Sequence, residues 1–318
     1  DHGGAAMTDR LVSYSLAVRG PEVSDQLLRQ LEISWSSLRH FNRTQPVVLF
    51  MHGPLPPSVA RLSRAFDVMV DVGPNYEQRL AEHSPSGASA LAAYPTLHKF
   101  LNHTRLATSG ARHVLCCDCD TVFAGDVEHL FARYGHVANV VGREEMSCRR
   151  SPHGYDPAFI DEDAIAELAR FTTGRSLPPF NLGAVMLSDV DWTRLASIEP
   201  RFVELAWRFA TWMTLHPGGP GARFADFIGA DAATRDMTDE DVERALPYPS
   251  DNPWILDEVC LWLAYGELAE LTFADFADTD VAQNGEFARS NPAAPGWTMC
   301  HYFSSSLAEV ERWLRAAA

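Results

Sequence analysis

The sequence predicts an α/β fold: a mostly parallel sheet flanked by helices, with a variable C-terminal part. Three observations carry this. Strand and helix patterns alternate between residues 11 and 72, which is the signature of a parallel sheet covered on both faces. The strand segments are continuous apolar runs such as Val47-Val48-Leu49-Phe50-Met51, as expected where both faces are buried. The composition, 46% hydrophobic and 21% charged, is that of an ordinary globular chain.

In order, 11–18 is a short apolar strand. Pro21 opens an amphipathic helix with Leu27, Leu28, Leu31, Trp35 and Leu38 at helical spacing. Residues 47–51 form the second strand. Pro56 and Pro57 start a helix that ends near Phe66, and 68–72 is the third strand. A Ser/Gly/Ala segment at 83–89 interrupts the pattern. Pro95 then begins a helix bearing Leu97, Phe100, Leu101 and Leu106. Residues 113–117 form a fourth strand and 137–141 a fifth; 161–171 reads as a short helix and 181–187 as another buried strand. An aromatic helix at 200–215 is followed by an irregular stretch, 216–251, holding a small acidic helix near 239–246. Such a stretch in an enzyme-sized chain reads as a lid or binding loop. Residues 255–265 are helical, 298–303 a last strand and 307–317 a closing helix. A length of 318 residues would allow about two domains. With no low-complexity linker and no repeat, 7–318 reads as one domain, with 1–6 (Asp-His-Gly-Gly-Ala-Ala) as an expression-vector remnant before Met7.

Charge narrows the partners. The chain has 42 acidic residues against 26 basic ones, a formal charge of -16. Nucleic acid and anionic membranes need clustered bases, so both are disfavoured. Lys99 is the only lysine, an arginine-for-lysine bias that suggests a high-GC bacterial source. The six cysteines show no disulfide framework, no apolar run reaches 18 residues and no leader pattern is present, so a cytoplasmic location is expected.

The strongest chemical signal is Asp118-Cys119-Asp120 at the end of the fourth strand. Ligands of open α/β sheets bind outside the carboxyl ends of strands. Residues two apart on an extended chain share a face, so both carboxylates can serve one site. Their mutual repulsion is relieved by a hard divalent cation, which keeps positions open for phosphates. An aspartate pair in a strand-end turn also has a purely conformational reading.

The wider string His113-Val-Leu-Cys-Cys-Asp-Cys-Asp-Thr-Val-Phe-Ala-Gly-Asp-Val127 resembles the DXD hallmark of GT-A glycosyltransferases, in particular family 8, the glycogenin and galactosyltransferase-like group. Four further segments resemble that family in order and spacing. They are Tyr94 to Phe100 with Lys99 at a basic position, Phe180-Asn181-Leu182-Gly183, Asp257-Glu258 at a helix start, and Met299-Cys300-His301-Tyr302-Phe303. The resemblance implies a GT-A, Rossmann-like sheet with 7–142 as nucleotide-binding half and 143–318 as donor-sugar and acceptor half. It implies that Asp118, Asp120 and His301 bind Mn²⁺ or Mg²⁺, with Asp118 also reaching the donor ribose. It further implies that Ser13, Tyr14 and Ser15 lie by the nucleotide, and that Lys99, Asn181, Asp257 and Glu258 hold the donor sugar. Asp257 or Glu258 is then the first candidate to support a retaining transfer from a nucleoside-diphosphate sugar to a soluble small-molecule or saccharide acceptor.

The chain departs from that family in two places. Glu258 replaces the glutamine of an Asp-Gln pair, and Phe303-Ser304-Ser305-Ser306 replaces a segment whose lysine contacts the diphosphate. Arg143, Arg149 or Arg150 is the expected substitute. The family's membrane-acting members carry a basic, aromatic C-terminal tail; the chain ends Arg315-Ala-Ala-Ala, so no membrane anchor is expected. The alternatives are a nucleotidyltransferase or nucleotide-sugar hydrolase on the same sheet, or a nucleotide-sugar-binding protein without turnover. A zinc cluster of Cys116, Cys117, Cys119 and His113 is disfavoured, because neighbouring strand residues point to opposite faces.

Overall fold

The computed structural model describes residues 9–18, 20–83, 95–144, 180–204, 206, 260–261, 264–283, 290–302 and 306–317. Strands β1 (Arg10–Ala17), β2 (Val47–His52), β3 (Met69–Gly73) and β4 (His113–Cys117) are parallel to one another. With β6 (Val140–Glu144), β7 (Phe180–Ser188) and β8 (Phe273–Asp275) they form a seven-stranded sheet in the order β3-β2-β1-β4-β7-β6-β8. Strand β7 runs against both β4 and β6, and β8 runs parallel to β6. The sheet is therefore mostly parallel, as the apolar runs predicted. All six residues of β2 are buried, which is what a central parallel strand requires.

Helix α1 (Asp25–Phe41) links β1 to β2. Ser24 caps it by accepting from the Leu27 N–H at 3.2 Å. Asp25 in the first turn and Arg39 and His40 in the last complement the helix dipole. Its buried stripe, Leu31, Trp35 and Leu38, packs in the main core with Val12, Tyr14, Leu49 and Phe131. Helix α2 (Pro57–Ala65) begins with proline at its first turn, where the missing N–H costs nothing.

A second, three-stranded sheet lies beside the first, in the order β5-β10-β9. It comprises β5 (Thr121–Phe123), β9 (Val281–Ala282) and β10 (Met299–His301). Strand β5 pairs antiparallel with β10, placing His301 opposite Thr121. A second core cluster holds this sheet in place: Ile33 of α1, Val122, Cys300 and Tyr302 pack with Val310 and Trp313 of the closing helix. Trp297 stacks on Trp313 with ring centroids 5.3 Å apart. Each large apolar side chain buried here contributes about 1.5–3 kcal/mol.

Several expected elements differ in extent. The fifth expected strand, 137–141, is observed as Val140–Glu144, because 135–137 form the turn after α5 (Glu128–Tyr134). The helix expected from Pro95 is a 3-10 helix, Pro95–Phe100, followed by the short α4 (His103–Ala107); α3 (Tyr76–His83) and α6 (Trp192–Ser197) complete this part of the chain. The last strand is three residues long and the closing helix, α7, spans Leu307–Ala317 as expected. The expected helix at 161–171, the irregular stretch with its acidic helix and most of 200–215 and 255–265 lie outside the described residues. Among the described residues, no helix is long and apolar enough to cross a membrane.

Candidate active site

The connection from β1 goes to β2 on one side, while β4 lies on its other side. This reversal of strand order opens a crevice at the carboxyl ends of β1 and β4, the usual ligand position in such sheets. Asp118 and Asp120 stand there, on the turn between β4 and β5.

Backbone and buried hydroxyls fix that turn. The Asp118 N–H donates to the Gly183 carbonyl of β7 at 3.0 Å, and the Tyr302 N–H donates to the Asp120 carbonyl at 2.9 Å. The Thr121 hydroxyl donates to the Asp118 carbonyl at 3.0 Å. Ser34 of α1 lies 2.7 Å from that hydroxyl, and the Tyr14 hydroxyl lies 2.8 Å from Ser34. Tyr14, Ser34 and Thr121 are all at most 1% exposed. A chain of buried hydroxyls thus ties the aspartate turn to α1 and β1.

Three chemical groups meet at this turn. One nitrogen of His301 and one oxygen each from Asp118 and Asp120 lie within 4.8 Å of one another. His301 Nε2 is 3.4 Å from Asp120 Oδ1 and 3.7 Å from Asp118 Oδ2. Lys99 Nζ donates to Asp118 Oδ2 at 2.7 Å. The His301 ring packs directly against Gly183, and a Cβ at 183 would sit 2.1 Å from His301 Nδ1. Burial disfavours charge on His301, but Asp120 and then Asp118 outweigh it, so its pKa stands above the usual histidine value despite opposition from Lys99. Two carboxylates and an imidazole, partly buried and converging, suit a divalent ion such as Mn²⁺. Lys99 already supplies one positive charge to this acidic pair.

The remaining expected residues sort by face. Ser13 and Ser15 point to the sheet face covered by the 3-10 helix and α4. They line a pocket with Lys99, Asn102, Cys116 and Asp118. Ser13 hydrogen-bonds to Cys116, and Ser15 Oγ lies 2.8 Å from His98 Nδ1 and accepts from Asn102 Nδ2 at 2.9 Å. Tyr14 points the other way, into the core, edge-on to Trp35. Asn181 is buried, and its Oδ1 accepts from the Gly183 N–H at 2.9 Å, shaping the strand that receives Asp118. Asp257, Glu258, Arg149 and Arg150 lie outside the described residues. Arg143 is buried and its Nη1 is 2.9 Å from Asp278 Oδ1.

Sequence reasoning did not single out Ser34, His98, Asn102 or the Gly183–His301 contact. No local pattern marks them, since each acts across a non-local pairing. The cysteines behave as unreactive, largely buried thiols: burial pushes Cys116 up to about 11 and raises Cys117 and Cys119 as well. Among the described residues, no cluster of three potential metal ligands includes a cysteine.

No family model matches the sequence, and no curated protein matches it. Solved structures do resemble it. The galactosyltransferase LgtC, in complex with donor and acceptor sugar analogs, aligns with a TM-score of 0.51 at 10% identity, covering 96% of this chain and 95% of that one. The bifunctional glycosyltransferase WbbM, in its apo structure, aligns with a TM-score of 0.51 at 10% identity, covering 95% of this chain and 46% of that one. At this identity the likeness concerns architecture: the chain has the mostly parallel α/β sheet of GT-A folds.

Proposed function

We propose that the protein is a metal-dependent glycosyltransferase of family-8 type. It moves a sugar from a nucleoside-diphosphate sugar to a soluble small-molecule or saccharide acceptor, with retention of anomeric configuration. The observation that carries this reading is the meeting of Asp118, Asp120 and His301 at the sheet's switch point, beside Lys99. The architecture shared with LgtC, whose structure holds donor and acceptor sugar analogs, supports the choice of substrate class.

In this reading Asp118, Asp120 and His301 hold Mn²⁺ or Mg²⁺, which supplies positive charge against the diphosphate leaving group. Lys99 keeps the Asp118 carboxylate oriented and adds a second positive charge near the donor. Ser13 and Ser15 offer hydroxyls at the pocket beside Asp118, with Ser15 held in direction by His98 and Asn102. Tyr14 acts through Ser34 to position the turn rather than by touching the nucleotide. Asn181 shapes the donor-sugar side, and Asp257 or Glu258 supplies the carboxylate that stabilises positive charge at the anomeric carbon. The 7–142 half binds the nucleotide, the 143–318 half binds donor sugar and acceptor, and the enzyme works in the cytoplasm.

The test is release of nucleoside diphosphate from UDP-, GDP-, dTDP- and CDP-sugars with Mn²⁺, with and without saccharide acceptors. One nucleotide class turned over by wild type and lost in Asp120→Ala supports the reading. Equal release by the variant contradicts it.

A further inference from the structure

Five residues upstream of Asp118, at the opposite end of β4, stands a second convergence of ligand-type side chains. His113 opens β4, Asp189 follows the end of β7, and His136 lies in the turn after α5. One nitrogen of each imidazole and one oxygen of the Asp189 carboxylate lie within 4.8 Å of one another. At about 3.3 Å per strand residue, this cluster is roughly 16 Å from the Asp118 turn.

We propose that His113, His136 and Asp189 form a binding site for a borderline divalent transition ion, with Zn²⁺ as the best match. Two imidazoles and a carboxylate are a zinc donor set, leaving one position for water. The ion is distinct from the hard ion assigned to the Asp118 site, and the proposal does not depend on that assignment.

Four features show a site already in place. His113 is 3% exposed, yet its Nδ1 is buried with no hydrogen-bond partner. An orphaned buried ring nitrogen costs about 1–3 kcal/mol, a cost that an ion bound at that nitrogen would remove. Gly135 lets the turn pass directly over that ring: a Cβ there would sit 3.1 Å from His113 Nδ1. The rings of His113 and His136 are 5.5 Å apart, edge to face. Finally, Arg112 takes only one oxygen of Asp189, donating to Oδ1 from Nε at 3.0 Å and from Nη2 at 2.6 Å. The other oxygen, Oδ2, is 4.0 Å from His136 Nδ1.

The Asp189 backbone is left-handed, with φ of 50°, and its N–H donates to the Arg112 carbonyl at 2.9 Å. Aspartate tolerates that conformation, and the bond fixes where the carboxylate projects. Asp9, 3.9 Å from Arg112, adds negative charge nearby. Bonds of 2.0–2.1 Å need the three donor atoms to close to about 3.4 Å, which takes rotation of both exposed side chains, His136 and Asp189, towards His113.

The test is Zn²⁺ stoichiometry on the full chain, by competition with a chromophoric chelator. An Asp118→Ala/Asp120→Ala variant removes the other site, and His136→Ala is added to it. His136 is a surface residue, so its loss does not threaten folding. The double variant is expected to bind one Zn²⁺ that raises its melting temperature, and the triple variant to lose that ion and the stabilisation together. A Co²⁺-loaded double variant should show visible absorption of a four-coordinate site that vanishes in the triple variant. Equal stoichiometry and equal stabilisation in the two variants, or no Zn²⁺ bound by the double variant, would overturn the proposal.

Discussion

Substituting Gly183 by alanine should dismantle the Asp118–Asp120–His301 cluster without touching any of its members. The new Cβ would sit 2.1 Å from His301 Nδ1, a contact that side chains do not tolerate. The strand cannot back away, because the Gly183 carbonyl holds the Asp118 N–H at 3.0 Å and its N–H is bonded to Asn181 at 2.9 Å. His301 cannot yield freely either, since it is 7% exposed and sits in β10 opposite Thr121. Relief therefore comes from rotating the imidazole off the carboxylates. Overpacking of this kind costs about 1–3 kcal/mol of stability. Losing the orientation of one ligand weakens metal binding by about 10–100-fold. Titrating Mn²⁺ and reading the free-ion signal by electron paramagnetic resonance measures the second effect, and urea unfolding the first. A double-mutant cycle with His301→Ala isolates the cause: with the ring gone, the extra methyl should cost little further affinity. Wild-type Mn²⁺ affinity in Gly183→Ala would refute the reasoning. So would full additivity of the two substitutions.

Three further outcomes follow. Ser34→Ala removes the 2.8 Å partner of the buried Tyr14 hydroxyl and should cost about 1–3 kcal/mol in urea unfolding, while Tyr14→Phe added to it should recover part of the loss because the under-bonded hydroxyl is then gone too. Lys99→Met removes the cation 2.7 Å from Asp118, so Mn²⁺ alone should bind several-fold tighter in a calorimetric titration while nucleotide-sugar binding weakens. Burial, reinforced by Arg105, lowers His52 to about 4, and burial lowers His103 to about 4 against the pull of Glu199. The unfolded chain then binds more protons below pH 6.5, so stability falls as pH drops from 6.5 towards 4, by about 1.4 kcal/mol per pH unit for each group. His98, also lowered by burial, adds to this trend, whereas the raised His301 offsets part of it. Urea unfolding at pH 7.5 and pH 5.0 checks it; equal stability at both would contradict the buried neutral imidazoles.

Much of the architecture was legible because burial on both faces leaves a plain trace. Runs such as 47–51 and 113–117 are apolar throughout, and the prolines at 56 and 57 mark a helix start. What was illegible follows from the same physics. A strand buried on both faces looks alike in either direction, so the reversed sense of β7 left no mark in Asn181 to Leu187. Strands β5, β9 and β10 have three, two and three residues, too short for any period, and their pairing joins Thr121 to His301 across the chain. The site divides likewise. Asp118 and Asp120 stood out through their spacing at a strand end, and His301 and Lys99 through resemblance to a family pattern. Ser34 and Asn102 were invisible, because a buried hydroxyl in a helix or a buried amide in the turn before one announces nothing until its distant partner is known.

The central claim is that Asp118, Asp120 and His301 hold a metal ion that recruits a nucleoside-diphosphate sugar. A thermal-shift panel of UDP-, GDP-, dTDP- and CDP-sugars, with and without Mn²⁺, tests it most directly on wild type and Asp120→Ala. A ligand bound at one hundred times its Kd adds about 2.7 kcal/mol to the folded state. The account predicts a clear rise in melting temperature for one nucleotide class, only with Mn²⁺, and its loss in Asp120→Ala. No shift with any nucleotide in the presence of Mn²⁺, or an equal shift in Asp120→Ala, would contradict it.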